Sequence, residues 1–379
     1  MKLIKKTLAI LCSFQFLFFS ITNKVLAFEE KNITAPSAVL LDFASGRVLF
    51  EKKSHERMFC ASLGKIMTLL LAMEALENGK ITLNDTVIAN ENVDSITGAH
   101  VFIKSGDKLS VEDLIKAVAV TSANDAEIVL ADHIAGSEND FVSEMQEKAS
   151  ELGLQDTIFK NCNGVEEEGQ FSSAHDIALI TQELLKYPKI LDYTSIWMDN
   201  IRDGKTQIVS SNKLLKNYHG VNGIKTGTTD KAGSCISASA TNNNFTLVAV
   251  VLGCKTGTDR FNDAVRLFDY GFKNFSCFIP EKQSLPFVKV ISGTKEFVCA
   301  KVVSCNFLVP FGKEKNITTE IEIFDNIEAP VEIHQSLGKV IFKLENVVLG
   351  ESNIVALDNV SKLNFSSAFR ILLKEFLNM

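Results

Sequence analysis

Two breaks in pattern limit what this chain can fold into. From residue 30 to about residue 275, short strand-like runs alternate with amphipathic helical runs, and after Gly271 the helical runs stop. From about Gln283 to Leu357 the text is β throughout: PFVKVISG, EFVCAKVV, ITTEIEIF, PVEIHQ and KVIFKLENVVLG, divided by Gly, Asn and Lys turns. Runs of that length and spacing predict a small β-sandwich. The last segment, 361–379, turns helical again. Phe365, Phe369, Leu372, Leu373, Phe376 and Leu377 share one helical face, with Ser366, Ser367, Arg370, Lys374 and Asn378 on the other. A terminal helix that follows a finished β-domain has little core left to cover. It is expected to lie in the headgroup plane of a membrane.

The N-terminus sets the compartment. Lysines at 2, 5 and 6 precede an apolar run from Leu8 to Ile21, and Val25 and Ala27 supply small-residue cleavage chemistry. Residues 1–27 read as a secretory signal peptide, the run being short for a membrane span. Its removal leaves 352 residues and takes the formal charge from −7 to −11. No basic stripe remains, which excludes nucleic acid as a partner. Seven cysteines follow the leader without a CxxC or HExxH pattern, so no metal is expected. Cys299 and Cys305 are the pair to test for a disulfide.

A serine three residues before a lysine is a nucleophile with its own base when both lie on one helical face. That spacing occurs at Ser62, Ser105, Ser210, Ser292 and Ser336. Ser105 and Ser292 precede Gly in turn sequences, and Ser210 has nothing nearby that implies a sheltered site. Ser336 lies at a turn or strand edge, where i and i+3 point apart, and Gly338 beside it reads as a turn residue. Ser62 differs, because it opens the apolar run IMTLLLAMEAL that ends at Asn78-Gly79. The first turn of a buried helix offers unpaired N–H groups and a positive dipole end to a developing oxyanion. Lys65 lies one turn on, in apolar surroundings that favour its neutral form.

Two further patterns accompany the first. A Ser-x-Asn occurs at Ser122 and Asn124, and again at Ser137, Ser210 and Ser304. Lys-Thr-Gly occurs at Lys225 and Lys255, each followed by Thr. Lys225 precedes two strand-like runs, 234–240 and 245–253, joined by TNNN as a hairpin. Lys255 reads as an exposed strand-to-helix loop.

With serine at 62, Ser-x-Asn at 122 and Lys-Thr-Gly at 225, residues 33 to about 275 resemble the serine D-alanyl-D-alanine carboxypeptidases, the low-molecular-mass penicillin-binding proteins. The matching text includes AVLLDFASGRVLFEKKSHERMFCASLGKIMT, SANDAEIVLADHIAGSENDF, GQFSSAHDIALI and RFNDAVRLFDYGF. The β-domain and amphipathic tail are similar as well. The resemblance implies an α+β fold of the β-lactamase/DD-peptidase kind, an antiparallel sheet flanked by helices over 28–276. A β-rich domain over 283–357 and an anchor helix over 361–379 follow. It implies that Ser62 attacks the carbonyl between two terminal D-alanines of a peptidoglycan stem pentapeptide while Lys65 takes its proton. Ser122 and Asn124 would relay protons and hold the peptide amide. Lys225 and Thr226 would bind the terminal carboxylate, and Gly227 would let substrate lie close. The N–H groups of Ser62 and Thr228 would form the oxyanion hole. Arg260 stands where the family often carries an arginine that assists carboxylate binding, the competing reading being a solvated charge at a helix start. β-Lactams would act as acylating inhibitors, no cofactor is implied, and the location is the periplasmic face of the cytoplasmic membrane.

The family usually has Thr where this chain has Gly64. Glycine early in a helix costs about 1 kcal/mol against alanine, and a hydroxyl is lost. That motivates an alternative, a weakly active wall-binding protein. A D,D-endopeptidase would use the same residues. A class A β-lactamase fits less well, because the deacylating Glu-x-x-Leu-Asn stretch is missing after Ser122 and Glu166-Glu167-Glu168 reads as a solvated loop.

Overall fold

The computed structural model describes residues 28–280, 285 and 287–377; the leader 1–27 and Gln283 lie outside them. Five strands make the central sheet: β1 (Ser37–Asp42), β2 (Val48–Lys52), β3 (Val221–Thr229), β4 (Gly233–Asn242) and β5 (Phe245–Cys254). Their order is β2-β1-β5-β4-β3, antiparallel throughout, so β3, which carries Lys225, is an edge strand. The expected hairpin between β4 and β5 is present, with Asn243 and Asn244 both at positive φ as a tight primed turn requires.

Period-two alternation sorts the sheet into two cores. Val39, Leu41, Cys235, Val248, Val250 and Leu252 face one side. Ala38, Leu40, Ile236, Ala238, Ala240, Leu247, Ala249 and Val251 face the other, under helix α5 (Gly257–Asn274). The first core is built around α1 (Lys65–Glu77), α2 (Asn124–Ala135), α3 (Glu138–Glu151) and α4 (Ala174–Leu184). Helix α1 is buried almost all round, as its unbroken apolar text requires. Asp263 of α5, fully buried, accepts from the N–H groups of Thr34 and Ala35 at 2.8 Å each and ties the entry to β1 onto that helix.

The C-terminal region has its own core, including Val288, Val298, Val331, Leu337, Val340, Phe342, Ile354 and Val360. Its main sheet joins β6 (Ala300–Val302), β7 (Ile317–Ile323), β8 (Ser336–Leu344) and β9 (Val347–Ala356) in the order β6-β9-β8-β7. Three sequence expectations need correction here. PVEIHQ forms no strand beyond a bridge from Val331 to Val360. Ser336 opens β8, at the strand edge that was one of its two readings, but Gly338 lies within that strand and not in a turn: a Cβ there would sit 2.2 Å from Glu322 O, so the neighbouring backbone demands glycine. Cys299 and Cys305 are free thiols, as are all seven cysteines among the described residues.

Helix α6 (Phe365–Leu377) ends the described chain, and Asn364 caps it by accepting from Ser367 N at 2.9 Å. Phe365, Phe369, Leu372, Leu373, Phe376 and Leu377 are all exposed. No helix among the described residues is long and apolar enough to cross a membrane.

Candidate active site

Ser62 lies in a tight helical turn, Ala61–Gly64, that runs directly into α1 at Lys65. Among the described residues, the other four Ser-x-x-Lys serines lack this setting. Ser105 and Ser292 are exposed on turns. Ser210 is buried, but its Oγ accepts from Asn212 N and serves its own turn. Ser336 is on a strand, with Lys339 paired to Glu351 at 3.0 Å.

Lys65 is fully buried, and its ammonium uses all three hydrogens. It donates to Asn124 Oδ1 at 2.8 Å, to Asn163 O at 2.7 Å, and to Glu127 Oε2. Asn124 opens α2 and also donates to Thr97 O at 2.7 Å, so it joins α1, α2 and the 97–99 loop. Ser122 sits between a wide helical turn, Ala117–Thr121, and α2, in the left-handed region at φ 64° and ψ 30°. That conformation is uncommon for a residue with a Cβ. Its hydroxyl oxygen is buried and has no hydrogen-bond partner, an arrangement that is costly unless another molecule supplies one.

β3 closes the site from the sheet side. Gly227 lies so close to the serine turn that an added Cβ would stand 2.8 Å from Ser62 N and 2.9 Å from Ala61 Cβ. Any side chain there would force the Ser62 turn and β3 apart. Lys225 is buried and donates to Thr226 O at 3.2 Å, while Thr226 Oγ1 shares a 2.6 Å hydrogen bond with Ser211. Burial, and then repulsion from Lys65, push the Lys225 ammonium down to about 7, with Glu127 partly opposing. Lys255 is exposed in the loop before α5, as its sequence context implied.

Arg260 corrects one of the two readings given to it. It is 7% exposed, not a solvated helix-start charge. Its Nη1 donates to Gly227 O and Thr228 Oγ1 at 2.9 Å each and to Cys235 O at 3.3 Å, bracing β3 from behind. Glu166 is also less free than expected: it accepts from Lys231 N at 2.8 Å and so clasps the β3–β4 turn. Gly64 lines a cavity of about 20 Å³ with Cys60, Phe159 and Gly164. A Cβ at Gly64 would meet nothing closer than 3.8 Å, so packing does not force glycine there.

Sequence reasoning missed Glu127. It is fully buried, joined to Lys65, and steadied by Thr68, whose hydroxyl donates to its Oε1 at 2.7 Å. The available signal was an acid three residues after Asn124 in the same helix, hence on the same face. Burial holds its carboxyl above the ordinary range, although Lys65 and Thr68 pull the other way. The assembled site has a serine at a helix start, a buried lysine beside it, an unpartnered hydroxyl and a buried cation on an edge strand. It is suited to nucleophilic acyl transfer on a substrate bearing a carboxylate.

Comparison with known proteins agrees with that geometry. The family described as D-alanyl-D-alanine carboxypeptidase matches residues 24–256, and the penicillin-binding protein 5 C-terminal domain matches 279–362. The chain is 39% identical over 338 residues to D-alanyl-D-alanine carboxypeptidase DacF of Bacillus subtilis, covering 87% of each. It is 35% identical over 353 residues to DacC of Escherichia coli, covering 89% of this chain and 88% of that one. Penicillin-binding protein 5 from Haemophilus influenzae superposes with a TM-score of 0.74 at 30% identity, over 87% of this chain and 98% of that chain. Penicillin-binding protein D2 from Listeria monocytogenes, in its ampicillin-bound form, gives 0.59 at 30% identity over 64% and 98%. The chain belongs to the D-alanyl-D-alanine carboxypeptidase family.

Proposed function

We propose that this enzyme removes the terminal D-alanine from peptidoglycan stem pentapeptides through an acyl-enzyme on Ser62. The observation that carries the reading is the meeting of three distant segments. Lys65 bonds Asn124, and Gly227 of the Lys225 strand lies against the Ser62 backbone. In this reading Ser62 Oγ bonds to the carbonyl carbon between the two D-alanines as Lys65 takes its proton. The Ser62 and Thr228 N–H groups receive the oxyanion. Collapse breaks the C–N bond, and the leaving amine takes a proton through the Ser122 hydroxyl, which has no other partner. Water then hydrolyses the ester. Lys225 and Thr226 hold the substrate carboxylate, with Arg260 keeping their strand in place from behind. The Asn124 amide is already engaged by Lys65 and Thr97 O, so it serves first to fix the base.

The ampicillin-bound relative supports acylation of this site by β-lactams. The N-terminal leader and the exposed apolar face of α6 support export and attachment at the periplasmic face of the cytoplasmic membrane. The proposed division is a catalytic domain over 28–276, a β-rich domain that begins at 283 and closes beyond 357 with Val360 in its core, and the anchor helix.

The test is purified protein with a D-Ala-D-Ala pentapeptide and with labelled penicillin, beside Ser62→Ala. Wild type is expected to release D-alanine and to take up label, and Ser62→Ala to do neither. No release and no label on wild type would sink the reading. Label without turnover would favour the weakened wall-binding protein that Gly64 motivates, and cleavage of crosslinked peptides would favour the endopeptidase.

A further inference from the structure

We propose that Glu127 is a positioning residue that acts through Lys65, fixing the amine and holding one of its protons while Lys65 receives the proton of Ser62. The proposal rests on the serine-acylation reading above. Lys65 Nζ is bonded to Cε and donates to three acceptors, Asn124 Oδ1, Asn163 O and Glu127 Oε2. A nitrogen so occupied has no lone pair to offer a serine. One proton must leave before Lys65 can act as a base. Two of the acceptors are neutral amide oxygens and too weakly basic to take it. The third is a carboxylate, with Thr68 holding its other oxygen.

Passing the proton from Nζ to Oε2 converts a buried ion pair into a neutral pair without changing the net charge of the site. Burial favours that direction, because it penalises both charged forms. The surroundings leave Glu127 as the group able to do this. From the 162–163 loop it faces Cys162, whose thiol burial pushes well up and keeps neutral, with Glu138 beyond it. From β3 comes the Lys225 cation, with Arg260 of α5 behind it. Asp125, the neighbouring acid on α2, is committed to the N–H groups of Val101 and Ile103.

The proton count closes. Nζ gives one proton to Oε2, and rotation about Cε–Nζ turns the freed lone pair to Ser62. Ser62 Oγ–H passes its proton to Nζ as the Oγ–C bond forms. When the C–N bond breaks, that proton goes to the leaving amine, and Oε2 returns the first proton to Nζ. Solvent neither supplies nor removes a proton during acylation.

The experiment is the pH profile of the rate at which labelled penicillin acylates the full chain, for wild type, Glu127→Gln, Glu127→Asp and Thr68→Val, with each variant's melting temperature as a folding control. In wild type the acid limb reports protonation of the Glu127–Lys65 pair as a unit. In Glu127→Gln the lysine must lose its proton to water, so the limb moves up by about one pH unit or more. Glu127→Asp returns the limb towards wild type at a reduced rate. Thr68→Val keeps shape and volume but removes a hydrogen bond to the carboxylate form, so the limb moves up by less. This last variant decides the matter if Glu127→Gln does not fold. An unmoved limb in the folded variants would reduce Glu127 to a structural part. A limb that moves down in Glu127→Gln would mean that the carboxylate locks Lys65 as a cation, and either result overturns the proposal. Failure of wild type to label at every pH would instead sink the serine-acylation reading itself.

Discussion

Lys225 shows how one buried residue couples stability to pH. Folded, it holds its proton only to about pH 7, against an ordinary value of 10.5. Between those values the unfolded chain binds more protons than the native one, so this group's contribution to stability rises with pH. Below about 7 both states are charged, and the cost of burying the cation is present in full. The expected slope in unfolding free energy approaches about 1.4 kcal/mol per pH unit, read by denaturant melts between about pH 7 and 8.5 in the absence of substrate. The buried thiols act oppositely, since burial raises Cys235 to about 11 and Cys254 to about 12, but only above their ordinary 9.0. Lys225→Met should remove the positive slope and stabilise the protein at neutral pH while abolishing carboxylate binding. An unchanged slope in that variant would place its origin elsewhere.

At the scale of elements, the site depends on β3 lying flush against the Ser62 turn. The approach is set by Gly227 on one side and by Arg260 on the other. Gly227→Ala puts a carbon 2.8 Å from Ser62 N. A loss in acylation rate of about 100-fold or more is expected, as for a misplaced reacting group. The fold should survive, because the clash falls at the strand edge. Near-wild-type labelling by penicillin would show that the turn and strand separate more easily than their packing implies. The element pattern itself was largely legible in the text. Helix α1 runs from Lys65 to Glu77 with Asn78 and Gly79 at its end, and the β4–β5 hairpin falls at TNNN. The Ser336 copy of the motif lies on a strand, but Gly338 was misread, because a neighbouring strand's backbone leaves no trace in local composition.

For the whole molecule, the C-terminal sheet region extends further than its strand text implied. Val360 is part of the third core, Val331 and Val360 exchange backbone hydrogen bonds, and Leu363 N donates to Ser292 O. A truncation after Leu357 would therefore cut into that core. A stop after Leu363 removes α6 alone, and should free the protein from membranes while leaving D-alanine release within about twofold, since exposed termini contribute little to the fold. Sedimentation with vesicles checks the first outcome and a pentapeptide assay the second. Continued pelleting of the truncated form would rule out α6 as the anchor.

By itself the sequence determined the order of the three motifs, the faces of the sheet and which of five serines opens a buried helix. Those features depend on local periodicity and on which residue types begin a helix. Only the tertiary structure decided what surrounds them. It made Arg260 a buried brace, it drew Glu127 onto Lys65 from another helix, and it left the Ser122 hydroxyl unpartnered. Those facts depend on segments distant in the chain and on depth from water, which set the proton affinity of a side chain and leave no local pattern.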